Sequence, residues 1–215
     1  MSKAYDRIEW NFLIEVLQSM SFSHKWQNLI FNCISTVSFS ILLNGSPCQK
    51  FYPQRGLRQV DPLSPYLFIV CVEVFYGLLN KAQTEKDLHG IQIVRGAPKI
   101  NHLVFADDSF IFCRDSFQDC QTILEILNTY QPASGQLINL DKSEISFSRN
   151  VPDDRKILFQ GWMQIKAVEC HSKYLGLPAF VGRSKKQVFN FVQDRVWKKL
   201  KGWKENFYQL LGEKF

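Results

Sequence analysis

The chain has 215 residues, 46% hydrophobic and 14% aromatic, which excludes a disordered polypeptide and allows one large domain or a domain with an appendage. Its six cysteines (Cys33, Cys48, Cys71, Cys113, Cys120 and Cys170) show neither CxxC nor a cysteine–histidine spacing suited to zinc, and read as reduced, partly buried thiols of an intracellular protein. The net charge of +6 is confined to one end: from Arg183 onward nine Lys or Arg meet three acids, while the preceding 182 residues balance at 17 of each sign. Such a basic end points to a polyanion contact, with a solvated lysine-rich helix face as the alternative.

Periodicity predicts the elements in order. Leu13, Val16, Leu17 and Met20 mark an amphipathic helix over 9–20, and a second helix over 24–36 turns Trp26, Leu29, Ile30, Cys33 and Ile34 inward. Phe39, Ile41 and Leu43 alternate into a strand that ends at Asn44-Gly45. A polar stretch over 54–59 leads into a long helix over 62–82, with Pro62 in its first turn and Leu67, Cys71, Val74, Phe75 and Leu78 as its buried stripe. A strand over 91–94 follows, and then two strands around Asp107-Asp108. Ser116, with Asp119 three residues later, starts a helix that runs to about Tyr130 and breaks at Ala133-Ser134-Gly135. Beyond it the sequence predicts a strand within 138–148, a short helix over 153–159, a strand at 173–175 and a basic helix over 184–202. No apolar run approaches the length of a membrane span, and the N-terminus has no secretory signal pattern. This order reads as α+β, a mixed sheet with helices on one face.

Asp107-Asp108 is the most informative feature. Leu103-Val104-Phe105 precedes it and Phe110-Ile111-Phe112-Cys113 follows, so the pair sits in a tight connection between two strands of the main sheet. Adjacent carboxylates repel unless a cation neutralises them, and Mg²⁺ binds through one or two carboxylates together with substrate phosphates. An ordinary hairpin turn is the competing reading, because Asp favours turns.

Four stretches then fall in order: Lys3-Ala4-Tyr5-Asp6, the loop from Arg55 to Pro65, Phe105-Ala106-Asp107-Asp108, and Tyr174-Leu175-Gly176-Leu177-Pro178. With Ala133-Ser134-Gly135-Gln136 and Lys142-Ser143 between the last two, the chain resembles the reverse transcriptase of plant non-LTR (LINE-type) retrotransposons over nearly its whole length.

The resemblance implies a partial reverse-transcriptase palm over residues 1–180 and a basic, helical, thumb-like segment over 181–215. It implies Asp107 and Asp108 as catalytic carboxylates for Mg²⁺ or Mn²⁺, with two ions roughly 3.5–4 Å apart clamping the attacking and leaving oxygens. Lys142 would help protonate the leaving pyrophosphate, and Tyr5 would stack under the incoming sugar and discriminate against a 2′-hydroxyl. Arg55, Gly56, Arg58, Gln59 and Val60 would line the nucleotide and template surface. Val60 stands where the family has Gly, and a β-branched residue disfavours the positive φ that Gly permits. Tyr174, Leu175 and Gly176 would grip the primer, and Lys185, Lys186, Lys198, Lys199 and Lys201 would meet nucleic-acid backbone, with Trp197 and Trp203 packing their helix onto the body.

The family's third catalytic Asp lies five positions before the aromatic represented by Tyr5, one residue ahead of Met1. The expectation is therefore an N-terminally truncated domain without fingers, with an incomplete two-ion site and no polymerase activity as this fragment. Asp6 would cap the following helix rather than replace the lost carboxylate. Partners would be an RNA template and a DNA primer, without a membrane, inside the cell in nucleus or mitochondrion. The alternative is a non-catalytic retroelement remnant that binds nucleic acid through its basic end.

Overall fold

The computed structural model describes residues 3–169, 190 and 192–202. The chain divides into two compact units, one of Met1–Ser143 with Arg149–Lys166 and the other of Glu144–Ser148 with Ala167–Phe215.

The first unit is built on helices. A short 3-10 turn, Tyr5–Arg7, leads into α1 (Trp10–Ser19), then α2 (His24–Ser35), a long α3 (Ser64–Glu85), α4 (Phe117–Ser134) and α5 (Asp153–Met163). The central helix is α3. Its leading half puts Leu67, Phe68, Cys71 and Val72 into a core with Ile8, Leu13, Leu17, Ile30 and Leu57. Its trailing half puts Phe75, Leu79 and Ala82 against Leu88, Ile123, Ile126 and Tyr130 in a second core. Phe12 joins them, packing on both and meeting the Tyr130 ring edge-on at 6.0 Å. By length and composition alone α3 is long and apolar enough to cross a membrane, contrary to the sequence reading. Its buried apolar residues are divided between these two cores, while Tyr66 and Ile69 are exposed.

Three helix details depart from the sequence reading. In α2 the buried positions are Gln27 and Ile30, while Trp26, Leu29 and Cys33 are exposed. Gln27 Nε2 donates to the Phe22 carbonyl at 2.7 Å, and this bond goes with a helix rotation that leaves the Trp26 face uncovered. The first turn of α3 holds Pro65 rather than Pro62, since the helix starts at Ser64 after Asp61 Oδ1 accepts from the Leu63 N–H at 2.8 Å. In α4 the helix continues through Pro132 to Ser134 and stops at Gly135, which is left-handed at φ +74°. Its N-terminus is as predicted, with Ser116 Oγ accepting from the Asp119 N–H at 3.1 Å.

Outside the hairpin at Asp107 the strands are shorter than predicted, and the strands form no common sheet among the described residues. β1 (Leu42–Leu43) and β2 (Ser46–Pro47) pair across Asn44-Gly45, whose φ values of +51° and +83° are those of a type I′ turn. Residues 91–94 make only a single bridge, Ile91 to Ile100. β3 (His102–Phe105) and β4 (Asp108–Ile111) form an antiparallel hairpin of their own. Within 138–148 the chain makes a 3-10 turn, Leu140–Lys142, and a two-residue strand, β5 (Glu144–Ile145). Too few consecutive backbone groups find partners in these short runs to build a wide sheet, so α3 organises the first unit instead.

In the second unit the Val168 N–H donates to the Ile145 carbonyl at 2.9 Å, beside β6 (Lys166–Ala167) where the chain passes between units. Residues 192–202 are helical. Trp197 there is 61% exposed.

Candidate active site

The hairpin that carries the acidic pair is set by its register. Phe105 pairs with Asp108 and Val104 with Ser109, so Ala106 and Asp107 form the two-residue connection. Ala106 has φ +52° and Asp107 does not share the positive φ, the pattern of a type II′ turn, which normally places Gly first. An alanine there holds the turn in a strained backbone conformation, which only a well-determined surrounding structure retains.

Residues opposite one another across the ladder share a face. His102, Val104, Ser109 and Ile111 form the inner one: His102 stacks on Tyr76 of α3 at 4.8 Å, and Ile111 packs on the second core. Leu103, Phe105, Phe110 and Asp108 form the outer one, with Leu103 and Phe105 about half exposed. Both Asp107 and Asp108 are exposed. The hairpin therefore stands where the sequence placed it, but outside any main sheet.

Its base is fixed by polar contacts. Asn101 is buried and donates to the Leu79 carbonyl at 3.1 Å, while its own carbonyl accepts from the Phe112 N–H at 2.8 Å. Burial holds the His102 imidazole, which stacks on Tyr76, below its usual pKa against the opposing effect of Glu73. Asp119, almost fully buried, accepts from the His89 N–H at 2.8 Å, the Arg114 N–H at 3.2 Å and Ser116 Oγ at 2.6 Å, and lies 3.1 Å from His89 Nδ1. Burial raises its pKa, but the hydrogen bonds from Ser116, His89 and Arg114 outweigh burial and hold it below the ordinary carboxylate value.

A second cluster forms around residues 4–10. Tyr5 is half-buried, lies in a 3-10 turn, and stacks on Phe68 of α3 at 4.9 Å and 18°. The loop after Arg55 docks on this segment. The Gly56 N–H donates to the Ile8 carbonyl at 2.8 Å, the Leu57 N–H to the Tyr5 carbonyl at 2.7 Å, and Trp10 Nε1 to the Gly56 carbonyl at 2.7 Å. Gly56 has φ +88°, and a Cβ there would lie 2.8 Å from the Asp6 carbonyl oxygen, so backbone meets backbone at a distance that only glycine allows.

Gln59 Nε2 donates to Asp6 Oδ1 at 3.2 Å, and Arg55 pairs with Glu9 at 3.3 Å. Asp6 therefore caps no helix: α1 has Glu9 at its N-cap without a side-chain bond, and the Asp6 carboxylate is held by the loop. Val60 sits at φ +66° and is fully exposed, so the valine occupies the left-handed conformation for which glycine is suited. A cleft of about 240 Å³ opens beside this loop, its polar wall formed by Asp6, Arg55, Arg58, Asp61 and Ser64.

The two clusters do not make a metal centre. Among the described residues no group of three or more His, Cys, Asp or Glu side chains is gathered where an ion could be held. Asp107 and Asp108 supply hard oxygen donors suited to Mg²⁺ or Mn²⁺, but two adjacent carboxylates are too few for a two-ion site, and Asp6 is engaged with Gln59. Lys142 ends the 3-10 turn Leu140–Lys142 and is exposed, its N–H donating to Asn139 Oδ1 at 3.2 Å. Lys198, Lys199 and Lys201 are exposed on the helix over 192–202. Tyr174, Leu175, Gly176, Lys185, Lys186 and Trp203 lie outside the described residues.

Sequence reasoning missed the Phe68 platform under Tyr5 and the buried Asp119 that ties down the end of the hairpin. Asp119 was legible only as a capping partner, and Phe68 only as one apolar residue in a helical run.

Residues 1–179 match the reverse transcriptase (RNA-dependent DNA polymerase) family. The chain is 27% identical over 199 residues to a retrovirus-related Pol polyprotein from a type-1 retrotransposable element R2 of Popillia japonica, covering 89% of this chain and 32% of that protein. It is 54% identical over 68 residues to an uncharacterized mitochondrial protein of Arabidopsis thaliana, covering 32% of this chain and 56% of that protein. An uncharacterized 149 kDa protein of transposon TX1 from Xenopus laevis is 28% identical over 141 residues, 66% of this chain and 10% of that protein. The chain thus spans between 10% and 56% of the length of these relatives. It belongs to the reverse transcriptase family, as a domain similar to those in the Pol polyproteins of non-LTR retrotransposons.

Proposed function

We propose that this chain is the palm of an RNA-directed DNA polymerase that carries only part of its metal site. The observation that carries the reading is the hairpin, which presents two adjacent exposed carboxylates at a strained two-residue turn. Two side-by-side carboxylates favour a hard divalent cation, the cofactor class used by reverse transcriptases. Asp107 and Asp108 are its ligands in this reading, and the ion neutralises charge on the reacting phosphate when bound.

The chain's own residues bind and orient. Tyr5, supported by Phe68, is the platform for the incoming sugar, and Arg55, Gly56, Arg58, Gln59 and Val60 face nucleotide and template. Two features support this assignment: the charged cleft beside the loop and the close backbone docking of Gly56. Lys142 protonates the leaving group. Residues 1–180 act as palm and 181–215 as a thumb-like segment, with Tyr174, Leu175 and Gly176 as primer grip and Lys185, Lys186, Lys198, Lys199 and Lys201 against phosphates. The substrates are an RNA template and a DNA primer. The mitochondrial relative in Arabidopsis thaliana supports an organellar setting.

Binding of Mn²⁺, followed by the loss of its free-ion paramagnetic resonance signal, tests the ligand assignment. The expected result is a weak site that Asp107→Asn and Asp108→Asn each remove. Equal binding by both variants and the unaltered chain would refute it. A second reading, nucleic-acid binding without catalysis, is favoured by the short carboxylate set and by the exposed lysines of the helix over 192–202.

A further inference from the structure

The segment that carries Tyr5 is held from two sides. The Arg55–Gln59 loop takes one, and the turn that ends α4 takes the other. The Glu9 N–H donates to the Ser134 carbonyl at 3.0 Å. Gly135 comes so close that a Cβ there would lie 2.2 Å from the Arg7 carbonyl oxygen, and its φ of +74° is itself one that glycine favours. Gln136 is 1% exposed and its Nε2 donates to the Ala4 carbonyl at 2.6 Å, one residue before Tyr5. Ser134 braces the turn, its Oγ donating to the Tyr130 carbonyl at 2.7 Å and accepting from the Gln136 N–H at 3.2 Å.

A buried amide costs free energy unless it is hydrogen-bonded, and Gln136 Oε1 has no partner among the described residues. An apolar side chain would fill the same space without that cost. What an apolar residue cannot do is fix the carbonyl of Ala4. The Tyr5 ring has two supports, the Phe68 ring beneath it and the backbone it springs from, and Gln136 bonds that backbone at the adjacent residue.

We propose that Gln136, seated by Gly135, is a positioning residue for nucleotide selection: it sets the backbone of Ala4–Tyr5 and through it the angle at which the Tyr5 ring meets the sugar. It touches no nucleotide itself. The inference rests on the reading of Tyr5 as the sugar platform.

The test uses the whole chain with dGTP and GTP as probes, which differ only by the 2′-hydroxyl. Affinity for each is measured by saturation-transfer NMR, and protection of the Leu57 amide, which donates to the Tyr5 carbonyl, by hydrogen exchange. Gln136→Met keeps the volume and removes the donor, and Gln136→Asn keeps the amide but shortens its reach. Both are expected to speed exchange at Leu57 by about tenfold, the order of one hydrogen bond, and to reduce the preference for dGTP several-fold. A preference abolished by Tyr5→Ala but left intact by both Gln136 variants, in folded protein, overturns the proposal alone. Absence of any preference in the unaltered chain removes the platform role of Tyr5 and the selection role of Gln136 with it, even where exchange at Leu57 responds.

Discussion

Val60 offers a clean perturbation, because its strain comes without any compensating burial. It lies at φ +66° and is fully exposed, so replacing it removes no packing from either core. The left-handed conformation costs an L-residue roughly 1–2 kcal/mol. Glycine adopts it freely but loses more chain entropy on folding, roughly 0.4–1 kcal/mol. The expected balance for Val60→Gly is therefore stabilisation by about 0.5–1 kcal/mol, a rise in Tm of about 1–4 °C for a chain of this size. Val60→Ala, which removes the β-branch but keeps the Cβ, should recover only part of that. Thermal unfolding followed by circular dichroism measures both. A Tm that falls in Val60→Gly, or an equal gain from Val60→Ala, would refute the backbone-strain argument.

Gly56 should behave in the opposite sense: Gly56→Ala forces a Cβ toward the Asp6 carbonyl at an unfavourable φ and should destabilise by roughly 1–3 kcal/mol, read in the same thermal assay. Asp119 has a folded-state pKa below its ordinary value, so its contribution is complete above about pH 4 and is lost as pH falls through the lowered value. Urea unfolding from pH 6 down to 2 should thus show a steeper loss for the unaltered chain than for Asp119→Asn. For the basic helix, changing Lys198, Lys199 and Lys201 to Gln should weaken primer–template binding and flatten its salt dependence by about one logarithmic unit for each lysine that meets a phosphate. Unchanged binding by that folded variant would leave these lysines as a solvated face.

Helical periodicity made α1, α3 and α4 legible, because each buries apolar residues at helical spacing, and Ser116 marks the start of α4. The hairpin at Asp107 was legible because its flanks are β-branched and aromatic. The rotation of α2 was not, since its buried Gln27 is polar and is held by a single bond to the Phe22 carbonyl. Nor was the contact between Gln136 and Ala4, which joins residues 132 apart, a separation that no local pattern encodes. Among the described residues the strands pair only two by two, for a related reason: strand pairing is decided by partners distant in sequence, and alternation at 91–94 or 138–148 says nothing about whether a partner is there. Around Tyr5 the sequence named candidate residues, while the Phe68 ring stacked on Tyr5 and the two-sided grip on its backbone emerged only from packing.

Primer extension tests the central claim, that Asp107 and Asp108 form part of a polymerase metal site and do not complete it. The purified chain, given a DNA primer on an RNA template with nucleotides and Mg²⁺ or Mn²⁺, is expected to add no nucleotide, because the ions and the reacting groups are not held in position. Robust extension that disappears in Asp107→Ala would contradict the account, and would show that two gathered carboxylates, or Asp6 released from Gln59, suffice for the chemistry.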